Sequence, residues 1–323
     1  MAIMQNLNAW LLTEGAHGMV SQVEGLAKAL NANFAHQKIM YNSFLSFLPP
    51  KFSPKNRIVF NFDEIIKNAN PSQLPNILIS CGRKSVIPSI VLKQHFIKNY
   101  NSKFYNIHIQ DPKINFNYFD FIIAPEHDGL TGVNVFSSKG AIHYISNEEI
   151  EDARQTKKNK NVLAVILGGP NKYYNFSLKE LKNIFTYIDQ HFLSNVSQLL
   201  IVSSRRTPEA INSYLIDRYK NDNKVHLDNS LNRENYIKAL AHADRIIVTS
   251  DSISMISEAA TTGSPIHIAQ LNPVKNDYRF MKFLNLFRDL NIVKLLDEKQ
   301  ENWTYDKLYE TKRIADLIKN KIV

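Results

Sequence analysis

Short apolar runs recur along the chain, each ended abruptly by glycine or small polar residues and followed by a stretch with helical spacing. Trp10-Leu11-Leu12 leads into a glycine-containing turn at 14–18 and then into residues 20–30, where Val23, Leu26, Ala27 and Leu30 share one helical face. Ile77-Leu78-Ile79-Ser80-Cys81 stops at Gly82-Arg83, with a helical pattern at 89–98. Residues 106–109 and 121–124 are further apolar runs. The second half repeats the rhythm with 162–167 before Gly168-Gly169-Pro170, 199–202 before Ser203-Ser204-Arg205-Arg206-Thr207, and 245–248 before Thr249-Ser250-Asp251-Ser252. Residues 265–268 read as the last strand. Strands apolar on both faces and separated by helices form parallel sheets covered on both sides, so the fold class is α/β.

A length of 323 residues suits two domains. The stretch 148–161 is charged and poor in apolar residues, as expected of a linker. It divides the chain into domains at 1–150 and 151–300. Leu308, Ile314, Leu317 and Ile318 predict a C-terminal helix from Trp303 to Ile322, in the segment 301–323 that follows the second domain. With one cysteine, Cys81, neither an internal disulfide nor a cysteine zinc cluster can form. No Lys or Arg precedes the first apolar run, no signal cleavage pattern follows it, and no run reaches the ~18 residues of a spanning helix, so a cytoplasmic location is expected. The net charge of +9 favours nucleotide phosphates, acidic lipid or nucleic acid as partners, or reflects only a Lys- and Asn-rich solvated surface. No motif combining stacking and basic residues argues for nucleic acid.

In open parallel sheets ligands bind beyond the C-terminal strand ends. At 249–265 a strand ends, small polar residues turn, and a helix begins. Thr249, Asp251, Ser252 and Ser254 are candidates to meet a diphosphate there, and Glu258, further into the helix, to accept bonds from ribose hydroxyls. The alternative is a capping turn with a solvated glutamate. Gly168 and Gly169 permit close backbone approach to a ligand, or only a tight turn. Ser204, Arg205 and Arg206 could bind a diphosphate through bidentate bonds, or form a surface basic pair. In the first half, the loop Gly15-Ala16-His17-Gly18 offers His17 as a base or as a plain loop histidine. Gln110, Asp111 and the group Glu126-His127-Asp128 stand at two further strand ends, and Arg83 at a third. No spaced ligand set accompanies these groups, so no metal is expected. Walker, nucleophile-elbow and H-E-x-x-H motifs are absent.

Together these pieces resemble one family, the mitochondrial-fission ELM-like family of bacteria and plants. The resemblance is carried by Gly15, Gly18 and Gln22; Ser80-Cys81-Gly82-Arg83; Gln110-Asp111-Pro112; residues 124–129; Asn134-Val135; and Gly140-Ala141. In the second half it rests on Gly168-Gly169-Pro170, residues 204–208, Ala243-Asp244 and residues 249–258. The resemblance implies a GT-B-like fold, two Rossmann-like domains with parallel sheets facing a central cleft. It also implies a distant kinship with nucleotide-sugar glycosyltransferases, in which a glutamate placed like Glu258 holds the ribose and the last helix returns to the first domain. The expected activity is metal-independent, inverting transfer from a nucleotide-diphosphate sugar, with no cofactor beyond that substrate. The donor would sit on the second domain, the acceptor near Gly15, Gly18, Gln22, Arg83, Gln110 and Asp111, and the base would come from Glu126, His127, Asp128 or His17. Two rival expectations are a non-catalytic scaffold at an anionic membrane surface, peripheral to the inner membrane, and a nucleotide-sugar epimerase. The aromatic-rich stretch 41–52 fits the membrane contact.

Overall fold

The computed structural model describes residues 7–69, 74–100, 103–298 and 302–322. It divides into two compact units, Met1–Tyr144 with Glu310–Val323, and Ile145–Tyr309.

The first unit holds β1 (Asn8–Thr13), α1 (His17–Ala29), β2 (Asn33–Lys38), α2 (Phe62–Lys67), β3 (Ile77–Cys81), α3 (Val86–Tyr100), β4 (Tyr105–Ile109), β5 (Phe121–Pro125) and β6 (Val135–Ser138). Its sheet is parallel throughout, in the order β2-β1-β3-β4-β5-β6. Every residue of β3 and β5 is buried, which explains their uninterrupted apolar character. One face packs Leu11, Ile79 and Ile107 against Val23 and Leu26 of α1. The other packs Trp10, Leu12 and Leu78 against Ile87, Ile90 and Phe96 of α3. The last helix of the chain, α10 (Glu310–Lys319), inserts Ile314, Ala315 and Ile318 into the α1 side of this core.

The second unit holds α4 (Asn147–Gln155), β7 (Val162–Leu167), α5 (Leu178–His191), β8 (Gln198–Ser203), α6 (Glu209–Tyr219), β9 (Val225–Asp228), α7 (Arg233–His242), β10 (Arg245–Thr249), α8 (Ile253–Ala259), β11 (Ile266–Ala269), α9 (Tyr278–Asp289) and β12 (Val293–Leu295). The parallel order is β12-β11-β10-β7-β8-β9. All six residues of β7 are buried, and Leu181, Ile184, Phe185 and Ile188 of α5 cover one of its faces. Strand order reverses between β1 and β3 in the first unit and between β7 and β10 in the second. Those are the switch points at which such sheets open a crevice at their C-terminal edge.

Three expectations from sequence need correction. Residues 148–161 do not form a linker throughout, because α4 occupies the first part of the stretch. Its cap is reciprocal: Glu149 N–H donates to Ser146 Oγ at 3.2 Å, and Ser146 N–H to the Glu149 carboxylate at 3.0 Å. Ile150 is its buried anchor, so the unit boundary falls ahead of α4 at Tyr144/Ile145. Ser146→Ala removes one of the two bonds and is expected to cost about 1 kcal/mol in urea denaturation. An unchanged midpoint would mean that the box adds nothing to α4. The C-terminal helix begins only at Glu310. Ahead of it the chain is tied into the second unit by Leu308 N–H to Ala260 O at 3.2 Å and Tyr305 OH to Ser264 O at 3.0 Å. Backbone committed to such contacts is not free to close helical turns. The last strand is β12 and not β11. Among the described residues no helix is long and apolar enough to cross a membrane.

Candidate functional site

In the second unit, β8, β7 and β10 lie side by side, so the turns at their C-terminal ends meet. Asp251, just past β10, is the hub. Its side chain has no exposure. Its Oδ2 accepts from Gly169 N–H at 3.0 Å and from Arg206 Nη2 at 2.9 Å, and its Oδ1 from Thr249 Oγ1 at 2.7 Å. Thr249 Oγ1 in turn accepts from Gly168 N–H at 2.9 Å. The Gly168 carbonyl accepts from Ser204 Oγ at 2.8 Å and Thr207 Oγ1 at 2.6 Å, and the Gly169 carbonyl from Arg206 Nη1 at 2.8 Å. Burial raises the Asp251 carboxyl pKa and outweighs the opposing pull of Gly169 N–H, Arg206 and Thr249.

Six residues singled out from sequence, Gly168, Gly169, Ser204, Arg206, Thr249 and Asp251, are thus joined in one hydrogen-bonded frame. The glycines are needed by that frame itself. A Cβ on Gly168 would lie 2.1 Å from Asp251 Oδ2, and one on Gly169 2.1 Å from the Arg206 carbonyl oxygen. Thr207 and Asn171, whose Nδ2 donates to Asp251 O at 3.1 Å, belong to the frame and were missed. Thr207 directly follows Arg206 and was within reach of sequence reasoning; nothing local marks Asn171.

Arg205, Ser252, Ser254 and Glu258 stand outside the frame. Arg205 is exposed, and among the described residues no ion pair holds it. Ser252 caps α8, accepting from Met255 N–H at 3.4 Å, and Ser254 is half-buried. Glu258 is buried, and its Oε2 accepts from Tyr236 OH at 2.7 Å. Burial pushes its carboxyl pKa up to about 7, against the lowering influence of the Tyr236 hydroxyl and the Arg233 charge. Tyr236 and Arg233 come from α7, and no local pattern announces them. Arg233 donates to Glu149 Oε1 at 2.6 Å.

In the first unit, Gly15 adopts φ +90 and His17 opens α1, exposed, with its ring edge-on to Tyr144 at 6.1 Å. Gly18 is half-buried on the same helix. Gln22 is buried, accepting from the Cys81 thiol at 3.6 Å, and burial raises that thiol's pKa. Arg83 donates to the carbonyls of Ser46 at 2.8 Å and Phe47 at 3.4 Å. Gln110 takes φ +84 and donates its N–H to Ile123 O at 2.7 Å; Asp111 holds the Lys113 amide at 2.9 Å and pairs with the Lys113 ammonium. Of the group after β5, Glu126 is exposed, whereas His127 is buried with its Nε2 3.7 Å from Asp128 Oδ1. These side chains lie at four separate strand ends. Among the described residues no group of three or more His, Cys, Asp or Glu is placed to hold a metal ion.

The family model for mitochondrial fission ELM1 matches residues 17–322. The uncharacterized protein RP120 of Rickettsia prowazekii is 26% identical over 97% of this chain and 98% of its own length. The mitochondrial fission protein ELM1 of Arabidopsis thaliana is 22% identical, covering 77% of this chain and 64% of its own. Among solved structures, a UDP-GlcNAc 2-epimerase from Neisseria meningitidis bound to UDP-GlcNAc superposes with a TM-score of 0.52 at 9% identity, over 98% of this chain and 99% of that one. A UDP-GlcNAc 2-epimerase from Methanocaldococcus jannaschii gives 0.50 at 13% identity, over 98% and 100%. Spinosyn forosaminyltransferase SpnP gives 0.50 at 10% identity, over 98% and 95%. At these identities the likeness to solved structures concerns the fold alone. Two six-stranded parallel sheets of GT-B type and a family match running from α1 to past α10 lead to one conclusion: the chain belongs to the mitochondrial fission ELM1 family.

Proposed function

We propose that the second unit binds a nucleotide-diphosphate sugar and that the chain transfers the sugar to an acceptor. The observation that carries this reading is Glu258. A carboxyl group is kept buried after the switch-point strand, its pKa raised to about 7, where a neutral glutamine would keep the Tyr236 bond without burying a charge. Such a group, retained at a cost in stability, is suited to accept bonds from ribose hydroxyls. Arg205 and the hydroxyls of Ser252 and Ser254 supply donors for the diphosphate, and the Asp251 frame holds their turns in place. The Neisseria neighbour, whose structure contains UDP-GlcNAc, supports the ligand class.

In the transfer, the acceptor hydroxyl oxygen forms a bond to the anomeric carbon, and the bond from that carbon to the diphosphate breaks. The electron pair leaves with the diphosphate, whose charge Arg205 offsets. The acceptor proton passes to a general base.

A thermal-shift screen with UDP, GDP, ADP, CMP and their sugar conjugates tests the proposal. Ligand at ~100 times its dissociation constant stabilises by about 2.7 kcal/mol. The expected result is a shift selective for one base and lost in Glu258→Ala. No shift with any of them would overturn the reading in favour of a scaffold. Turnover of a sugar nucleotide with no acceptor present would replace transfer by epimerisation.

A further inference from the structure

We propose that the segment joining β2 to α2, residues 39–61, docks the protein on the surface of an anionic lipid bilayer. The segment exposes Phe44 by 83%, Phe47 by 69%, Phe52 by 70% and Ile58 by 62%, with Met40 half-exposed beside them. Scattered exposed apolar residues are ordinary on a protein surface. Five large ones within residues 40–58 are a concentrated patch.

The patch is built and held. Ile39, Val59 and Phe60 anchor both ends in the core beside Trp10 and Leu12, and a Tyr41–Phe60 bridge closes the neck. Within it, backbone groups are satisfied locally. Leu45 N–H donates to Asn42 O at 3.0 Å, Phe52 N–H to Pro49 O at 2.9 Å, Phe44 N–H to Asn42 Oδ1 and Ile58 N–H to Asn56 Oδ1, both at 3.2 Å. Arg83 takes up the carbonyls of Ser46 and Phe47 from outside. Moving such a segment out of water leaves few backbone groups unpaired, which is the main cost of entering the interface. The core-facing residues hold the segment in shape while Phe44, Phe47 and Phe52 stay exposed.

Charge selects the occupant. Lys51, Lys55 and Arg57 lie between the apolar tips, Lys38 stands just before them, and no Asp or Glu occurs between Glu24 and Asp63. Lys51 Nζ sits 5.9 Å from the Phe52 ring centroid, so cation and apolar tip are presented together. Apolar tips interleaved with cations, in a stretch of sequence without acids, match a surface whose interior is hydrocarbon and whose boundary is anionic.

The test is cosedimentation of the full chain with phosphatidylcholine vesicles, with and without phosphatidylglycerol. The wild type is expected to bind the phosphatidylglycerol vesicles and to be released by salt. The combined variant Phe44→Ser, Phe47→Ser, Phe52→Ser should lose about tenfold in partitioning per phenylalanine. Lys51→Glu, Lys55→Glu, Arg57→Glu should lose the preference for anionic vesicles, roughly a hundredfold. All six side chains are exposed, so the melting temperature should hold in both variants, as should any nucleotide-induced thermal shift. Retention of that shift separates this proposal from the one for the second unit. Wild-type binding that neither variant weakens would overturn the proposal. No wild-type binding to either vesicle would overturn it too, and would assign the patch to a protein partner.

Discussion

Replacing Asp251 with alanine is expected to destabilise the protein by about 3–5 kcal/mol, the range for breaking a buried pair from one side. The carboxylate itself is held at a cost, since burial raises its pKa despite three partners. The loss comes from the groups left behind. Gly169 N–H and the Thr249 hydroxyl are buried and would lose their acceptor, and Arg206 would lose its ion pair. Arg206 is 41% exposed and can return to water, so most of the effect falls on the two buried donors. Urea denaturation measures it. Asp251→Asn keeps an acceptor oxygen for one of those donors and should recover part of the loss. A loss under about 1 kcal/mol for Asp251→Ala would mean that the frame does not depend on its hub. The same variant should abolish nucleotide binding, because the turns carrying Arg205 and Ser252 are positioned by this frame.

Glu258→Gln is expected to make the protein more stable at alkaline pH while weakening the site. In the folded state the carboxyl pKa is raised from 4.5 to about 7, so the folded protein holds the proton more tightly than the unfolded chain. The contribution of Glu258 to stability therefore falls as pH rises from about 4.5 to about 7, and above that the full penalty of its buried charge is present. Glutamine has no such titration. The variant should match the wild type near pH 4.5 and exceed it at pH 8 by on the order of 3 kcal/mol. Paired urea melts at the two pH values decide the matter; a difference that does not change with pH would remove the buried-charge argument. Nucleotide affinity should move the other way. Losing a charged acceptor for hydroxyl donors costs about 1.5–3 kcal/mol, a tenfold to hundredfold weaker complex. Stability gained with binding lost would mark a residue kept for function and not for folding. Unchanged nucleotide affinity would remove Glu258 from the proposed ribose contact.

How much of this was legible in the sequence depends on where each residue lies in a sheet. Central strands such as β3, β5 and β7 are buried on both faces, so their apolar runs stand out. The outer strands are different. β2 reads NFAHQK and is almost wholly exposed, and β6, β9 and β12 run only three or four residues. An outer strand is paired on one side only, through backbone bonds that leave no side-chain pattern. The helix α4 did carry a local signal, Ser146 with Glu149 three residues on, within a stretch whose charge reads as solvated.

The frame at the strand ends was legible because in a parallel sheet small and polar residues after an apolar run must lie at the same edge. The sequence alone therefore determined the α/β class, the two series of strands and the edge on which Gly168, Arg206 and Asp251 fall. Only the tertiary structure decided who meets whom. The order β12-β11-β10-β7-β8-β9 sets β7 between strands whose ends supply partners 36 and 81 residues away. It also brings Tyr236 of α7 to Glu258, 22 residues apart. Local physics specifies which groups need partners. Which distant group satisfies them follows from strand order and helix placement, set by burial summed over the whole unit.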